Sequence, residues 1–510
     1  MTPRIRIFRS AELLSETDGI QGETLLQHVG VAGIFLDAQC GGMGKCGKCL
    51  IRLEPDGEQI PACRVTVDGD TDIYLPDELA MQIEYNGAAD GQTGATPAPL
   101  RGRLGAAADI GTTTVVVHLT DIATGKRIAT ASGGNYQRTY GADVISRIQY
   151  CAVNGHGTLT QLIREQLASL IHQTCTVSDA CADDIGYVSI AGNTIMQHLA
   201  AGYSPVGIGR VPFTPVSLFG NEIPAWEGLP VSKSATVYFT PAVSSFVGGD
   251  ITAGLLAAGF EDMEGPAVYL DIGTNGEIVI KSGDVYYCCA AAAGPAFEGA
   301  EITMGMAAVS GAIYHVKWEG MLKTAVIGDG TPSGICGSGL IDALAVLLET
   351  GAVDETGRLL GADEISHEIA AHISRKDGKK VFQFTENEDG VHISETDIRK
   401  LQLAKAAIAA GIQALLNYAD IKAEQVKSFV LAGSFGSVLD KFSAARIGLF
   451  PEAFLSVTQV SGNTAGEGAA LALCTRAACT GLEDIRRRCE YIELSTNPVF
   501  IKQFVEQMMF

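Results

Sequence analysis

Ala106-Ala-Ala-Asp109-Ile-Gly111-Thr112-Thr113-Thr114-Val-Val-Val-His-Leu119 recurs farther along the chain as Val268-Tyr-Leu-Asp271-Ile-Gly273-Thr274-Asn275-Gly276-Glu277-Ile-Val-Ile280. Each copy reads as an apolar strand, an Asp at its end, a Gly-Thr turn and a second strand. Repetition at domain spacing predicts two similar lobes facing one another. The turn has a chemical use. Its consecutive N–H groups and hydroxyls, from Gly111, Thr112 and Thr113 in one copy and Gly273, Thr274, Asn275 and Gly276 in the other, suit phosphate oxygens. Asp109 and Asp271 are candidate catalytic carboxylates, able to hold Mg²⁺ through waters that the ion gives up reluctantly. A single turn of this kind is equally an ordinary hairpin. The duplicate points to a nucleotide polyphosphate gripped from two sides.

Three further segments extend the pattern. Phe246-Val-Gly248-Gly249-Asp250-Ile-Thr-Ala-Gly254 places a third candidate catalytic carboxylate, Asp250, between glycines and a predicted helix. Val430-Leu-Ala-Gly433-Ser434-Phe435-Gly436 is an apolar strand running into a turn whose Gly433, Ser434 and Gly436 would let a nucleotide base or ribose approach closely. Gly334-Ile-Cys336-Gly337-Ser338-Gly339-Leu-Ile-Asp342 opens a helix after a glycine loop, a second place for phosphate. Each alone is ordinary turn chemistry. Together they resemble the phosphate-1, phosphate-2 and adenosine motifs of the actin, sugar-kinase and Hsp70 ATPase superfamily, with its ribonuclease H-like lobes. No Walker A motif competes with them.

The first 63 residues carry a separate constellation: Cys40, Cys46, Cys49 and Cys63, with gaps of five, two and thirteen residues. This is the plant-type [2Fe–2S] layout with one extra residue in the first gap. Gly41, Gly42, Gly44 and Gly47 surround these thiols. Left-handed backbone there would let the loop fold over an anionic cluster and aim N–H groups at its sulfurs. Structural zinc normally shows two close cysteine pairs, and here there is one. Met1-Thr-Pro-Arg-Ile-Arg6 lacks an apolar core, so no signal peptide is expected and disulfides are not. The other nine cysteines, Cys288, Cys289 and Cys336 among them, have no ligand spacing and are expected as buried reduced thiols of a cytoplasmic protein.

At 510 residues the chain exceeds one core and predicts two to four domains. A strand at 4–8, a helix at 22–30, the cysteine loop, a strand at 50–53 and another at 73–76 suggest a small β-grasp ferredoxin-like domain over 1–78. Residues 79–104, rich in Gly, Pro, Thr and Ala, read as a flexible linker. The first ATPase lobe is expected over 105–262, and the second, with the C-terminal helices, over 263–510. A formal net charge of −22 argues against nucleic acid and against anionic membrane surfaces. No apolar run is long enough to span a bilayer. Leu403–Ala419, the most apolar helical stretch, carries Lys405, Gln413 and Asn417 and reads as a packed helix.

Nearly the whole chain resembles the ATP-dependent reductive activators of corrinoid proteins. The resemblance is carried by Asn135-Tyr-Gln-x-x-Tyr140-Gly-Ala-Asp143-Val-Ile-Ser-Arg147-Ile148, Ala191-Gly192-Asn193-Thr194-Ile-Met196-Gln-His198-Leu199, Asp271–Glu277, Ala293-Gly-Pro-Ala-Phe-Glu298-Gly-Ala300 and Gly334–Asp342. One departure is a middle domain of the family, which only residues 78–104 stand in for here. The resemblance implies a [2Fe–2S] cluster, ATP and Mg²⁺ as cofactors, and one-electron reduction of inactive Co(II) to Co(I) in a corrinoid partner. It also implies a low-potential electron donor and, among possible assemblies, a homodimer. Each 100 mV of uphill transfer costs about 2.3 kcal/mol per electron, so ATP must alter the complex. A linker of this length would let the ferredoxin head swing between donor and acceptor. An electron activase for a radical dehydratase and a redox-sensing ATP-binding regulator stay open, as does a small-molecule kinase with Asp250 as base. The N-terminal cysteine domain argues against the first and is unexplained by the last.

Overall fold

The computed structural model describes every residue except 1, 10–11, 33, 35, 37, 39–41, 43, 45–46, 77–102, 329, 366–367 and 386–389, and the backbone alone of Ser434. The expected linker falls almost wholly outside the described residues, as do Cys40 and Cys46.

Among its described residues the N-terminal domain has a three-stranded sheet, a short ladder of Leu50–Ile51 with Ile60–Pro61, and one α-helix. Strands β1 (Arg4–Arg9) and β2 (Glu12–Asp18) pair antiparallel, and helix α1 (Leu25–Val31) crosses to β3 (Thr71–Leu75), which runs parallel to β1. The helix starts later than its apolar pattern suggests because Thr24 caps it. The Thr24 side chain accepts from Gln27 N–H, and Gln27 in turn accepts from the Thr24 backbone. Ile5, Ile7, Leu25, Leu26, Val29 and Ile73 form its core.

The repeat then builds two sheets of the same design. In the first, β4 (Leu104–Ile110), β5 (Thr114–Asp121) and β6 (Arg127–Gly134) form an antiparallel meander. Helix α2 (Val144–Asn154) follows, and β7 (Ile185–Gly192) returns parallel to β4. A helix α3 (Thr194–Ala201) leaves β7 directly; β8 (Glu222–Pro224) and β9 (Thr236–Phe239) complete the order β8-β9-β7-β4-β5-β6. Helix α4 (Gly249–Ala257) closes this half. In the second sheet β10 (Ala267–Ile272), β11 (Gly276–Ser282) and β12 (Val285–Ala291) repeat the meander. Helices α5 (Gly337–Glu349) and α6 (Glu395–Tyr418) precede β13 (Ser428–Ala432), which lies parallel to β10. Strands β14 (Thr458–Val460) and β15 (Cys489–Tyr491) give the order β14-β13-β10-β11-β12-β15.

The central strands are apolar on both faces because helices cover both. Ala106, Ala108 and Ile110 of β4 enter one core, while Ala107 enters a second. The described residues group into two compact units. One takes those up to Ala257 together with Ala465–Arg486; the other takes Ala258–Thr464 and Arg487–Phe510. Ala465–Arg486, within the stretch expected as the second lobe, thus groups with the first unit. Ala465, Ala469, Ala472 and Leu473 bury themselves against Ala107, Tyr187 and Ala253, and Arg127 pairs with Glu467. An amphipathic helix goes where its apolar face is covered, whatever its place in the chain.

Leu403–Ala419 falls within α6, except for its last residue, and Lys405 is buried in it. Of the nine cysteines outside the N-terminal set, Cys151, Cys175, Cys288, Cys289, Cys336 and Cys474 are buried, and all nine are free thiols. Cys181 departs from the expected burial, lying exposed just past a helix over Gly157–Ser178, and Cys479 and Cys489 are only half-buried.

Candidate functional site

The first hairpin places Asp109 at the end of β4, across from Ala191 of β7 and Val116 of β5. Gly111 closes the turn. Its N–H donates to Thr114 O at 2.9 Å, and a Cβ there would lie only 2.8 Å from the same oxygen. Asn135 clasps the turn from behind: its Nδ2 donates to Gly111 O at 2.9 Å and its backbone N–H to Thr113 O at 2.8 Å. Asn193 does the same from the β7 side. Its Oδ1 caps α3 by accepting Met196 N–H, and its Nδ2 donates to Thr112 Oγ1 at 3.1 Å. Arg147 of α2, fully buried, donates to Thr112 O at 2.5 Å, Gly141 O at 3.0 Å and Gln137 Oε1 at 3.2 Å. Burial lowers its pKa to about 9. All three oxygens belong to neutral groups, so its positive charge acts on the hairpin at low dielectric.

Asp250 belongs to the same end of the sheet. Gly248 packs so tightly on the β7–α3 junction that a Cβ would lie 2.5 Å from Asn193 Cα. This sets Asp250 in the first turn of α4, where its Oδ1 accepts Ile251 N–H at 2.9 Å.

The second hairpin repeats the placement. Asp271 ends β10, across from Ala432 of β13 and Glu277 of β11. Packing pushes its carboxyl up to about 6, against a weak hydrogen bond from Tyr269 at 3.5 Å. Gly273 N–H donates to Asn275 O at 2.9 Å, and Thr274 Oγ1 donates to Glu298 Oε1 at 2.7 Å. Gly433 has φ +89, and a Cβ on it would overlap Asp271 Oδ1. So the close approach this glycine permits is to the neighbouring aspartate. Gly276 is a packing glycine, since a Cβ would lie 2.8 Å from Ile408 Cγ1, whereas a Cβ on Gly436 would make ordinary contact with Leu431 Cγ at 3.4 Å. Three motifs converge nearby. Phe297 and Phe435 stack with centroids 6.0 Å apart, and Gly337 at the start of α5 lies against both.

In the N-terminal domain Cys49 is buried and Cys63 half-buried. Leu50 pairs with Pro61, and Ala62 N–H donates to Cys49 O at 2.7 Å, so the two cysteines flank one short ladder. Gly42, Gly44 and Gly47 all have positive φ, the left-handed backbone expected of the loop. A Cβ on Gly42 would lie 4.0 Å from Cys63 Cβ, so the loop folds back over the fourth cysteine. Cys40 and Cys46 lie outside the described residues, and among those described no metal-holding group of three or more His, Cys, Asp or Glu gathers. Cys49 and Cys63, with Gly42, Gly44 and Gly47 in left-handed backbone beside them, are the two described members of the expected four-thiol set.

The structure thus brings Asp109, Gly111, Thr112, Thr113 and Asp250 to one sheet end of the first unit. In the second it brings together Asp271, Gly273, Thr274, Asn275 and Gly433. Asn135, Arg147, Asn193 and Glu298 were quoted within sequence motifs without a role. The signal for Asn193 is the match of Ala191-Gly192-Asn193 to Ala432-Gly433-Ser434, each ending the strand beside an aspartate hairpin.

A family profile described as the RACo middle region matches residues 104–263, and one described as the C-terminal ASKHA domain of RACo matches 266–510. The family's middle region is therefore present, on the stretch expected as the first lobe, and residues 78–104 do not stand in for it. A corrinoid activation enzyme, RamQ, of Eubacterium limosum is 32% identical over a 588-position alignment covering 98% of each chain. The [Co(II) methylated amine-specific corrinoid protein] reductase of Methanosarcina barkeri is 24% identical over 71% of this chain and 68% of its own. The solved structure of a reductive activator for a corrinoid, iron–sulfur protein superposes with a TM-score of 0.72 at 29% identity, covering 100% of this chain and 98% of that one. With its N-terminal ferredoxin-like domain, its duplicated aspartate hairpins and these relatives, the chain belongs to the RACo family.

Proposed function

We propose that the protein reactivates a corrinoid protein, delivering one electron to inactive Co(II) and returning it to Co(I) under the control of ATP. The observation that carries this reading is the union, in one chain, of a glycine-rich cysteine loop with two equivalent aspartate hairpins. The names of the relatives supply the partner class. In this reading Cys40, Cys46, Cys49 and Cys63 ligate a [2Fe–2S] cluster, which supplies a low-potential one-electron carrier when bound.

The chain's own residues do the rest. Gly111, Thr112 and Thr113 in one hairpin, and Gly273, Thr274 and Asn275 in the other, present N–H groups and hydroxyls to phosphate oxygens. Asp109 and Asp271 orient hydrated Mg²⁺. Asp250, in the first turn of a helix beside the first hairpin, is assigned the orientation of a water. Gly433 leaves room for the Asp271 carboxylate, with Ser434 and Gly436 assigned to the nucleoside side of the site. A low-potential donor outside the chain refills the electron. No helix among the described residues is long and apolar enough to cross a membrane, and reduced thiols suit the cytoplasm. A second copy of the chain is a further candidate partner.

The test is anaerobic mixing of the reduced protein with a Co(II) corrinoid protein, with and without Mg·ATP, while Co(I) absorbance is followed. ATP-dependent appearance of Co(I) is expected. Its absence with a competent corrinoid protein would overturn the assignment. Four irons per chain, or stoichiometric zinc in anaerobically purified protein, would overturn the cluster.

A further inference from the structure

The turn that follows β6 touches two things at once. On one side it holds the first hairpin, through Asn135 and through Arg147, whose guanidinium spans Thr112 O, Gln137 Oε1 and Gly141 O. On the other side, at Tyr136–Thr139, it carries the N-terminal domain. A Cβ on Gly30 of α1 would lie 2.8 Å from Thr139 Oγ1 and 3.1 Å from its Cγ2. A Cβ on Gly42, in the cysteine loop, would lie 3.7 Å from Thr139 O and 3.3 Å from Leu26 Cδ2 of α1. Thr139 therefore sits in the angle between the helix and the loop that frames the cysteines. Its own hydroxyl donates back to Tyr136 O at 2.5 Å, which locks the turn's shape. All of these residues belong to one compact unit.

We infer that Gly30 and Thr139 form a seat for the N-terminal domain on the first lobe, and that Arg147 is the positioning residue that couples phosphate at the Asp109–Thr114 hairpin to that seat. The inference rests on the nucleotide reading given above. Thr112 cannot shift toward a phosphate without loading Arg147, and the same planar fork holds Gln137 and Gly141, on either side of Thr139. The fork is buried and close-packed, so it transmits displacement rather than absorbing it. The seat is small, with a helix glycine against one threonine, so a modest preference for one docked arrangement decides its occupancy. Coupling of this kind is reciprocal: if a polyphosphate changes docking, docking changes polyphosphate affinity by the same factor. The device would hold the cysteine loop against the lobe in one nucleotide state and free it to meet a partner in another.

The experiment uses the full chain with its iron in place. Hydrogen exchange is measured at Leu25–Val31 and at Tyr136–Thr139, with and without Mg²⁺ and a saturating non-hydrolysable ATP analogue, whose binding is measured separately by calorimetry. The analogue is expected to change exchange in α1 by about fivefold or more, the low end of ordinary coupling. Gly30→Leu, which drives a side chain into Thr139, should hold α1 at one exchange rate whatever the ligand and leave iron content unchanged. Arg147→Lys keeps the charge and loses the fork, and at saturating analogue its α1 should no longer respond. A merely structural arginine would alter stability without abolishing a ligand-dependent difference. If the analogue binds wild type and α1 does not respond, the inference falls while the nucleotide reading stands. If the analogue does not bind, both fall. A full response in Arg147→Lys would overturn the coupling route, and a full response in Gly30→Leu would overturn the seat.

Discussion

Thr274 Oγ1 donates to Glu298 Oε1 at 2.7 Å, tying the second aspartate hairpin to the Pro295–Glu298 turn beneath Phe435. The bond holds the threonine that is assigned to phosphate in one rotamer. Glu298→Ala releases it, and ATP turnover should fall about tenfold, because phosphoryl chemistry depends mostly on positioning. Phosphate release measures this, and iron content should not change. Turnover at the wild-type rate would remove Glu298 from the site.

Asp109→Asn and Asp271→Asn should each cut ATP turnover about tenfold or more, since each removes a charge that orients hydrated Mg²⁺. The visible spectrum of the cysteine domain should be retained. Unchanged turnover in both variants would place the nucleotide elsewhere.

Asp271 should also weaken the fold at neutral pH. Burial pushes its carboxyl up to about 6 in the folded chain from the ordinary 3.8. Between these values the folded chain holds a proton that the unfolded chain has lost. The penalty is therefore complete above about pH 6 and fades toward pH 4. Urea unfolding should show Asp271→Asn more stable than wild type at pH 7.5 and the difference shrinking at pH 4.5. A difference that grows on acidification would contradict this.

His118, buried in β5 and hydrogen-bonded to Thr130 Oγ1 at 2.9 Å, has the opposite sign. Burial lowers its pKa from 6.5 to about 3. The unfolded chain takes up a proton below pH 6.5 that the folded chain refuses, so wild type loses stability as pH falls from 6.5 toward 3. His118→Asn does not titrate, and its urea midpoint should fall less steeply over the same range. Parallel pH profiles would show that His118 does not set this slope.

Cys46→Ala and Cys49→Ala should each abolish the iron–sulfur absorbance and electron delivery while ATP still binds, because the thiols and the hairpins lie in separate domains. Retention of two irons by either variant would exclude that cysteine as a ligand.

Much of this molecule was legible in one dimension. Asp109-Ile-Gly-Thr and Asp271-Ile-Gly-Thr specify hairpins locally, since a strand, a Gly-Thr turn and a returning strand need no distant partner, although a Cβ is excluded only at Gly111 and not at Gly273. The spacing of Cys40, Cys46, Cys49 and Cys63, with glycines between them, is likewise a local statement about a loop. Gly433 was legible as a site of close approach, but what approaches it is Asp271, on a strand some 160 residues away in the chain. The roles of Asn135 and Arg147 were not legible, and Asn193 had only the match of Ala191-Gly192-Asn193 to Ala432-Gly433-Ser434 as a signal: each reaches the first hairpin from a separate element, and only the parallel pairing of β7 with β4 brings Asn193 to the end of the strand that carries Asp109. The helical segment Ala465–Arg486 joins the first unit for the same reason. Its periodicity announces a helix with an apolar face, but which core covers that face depends on the surfaces still unburied once both sheets exist. Sequence by itself determined the turns and the chemistry they could hold. Tertiary structure decided which buried groups fasten those turns, because burial and register are properties of the assembled sheets.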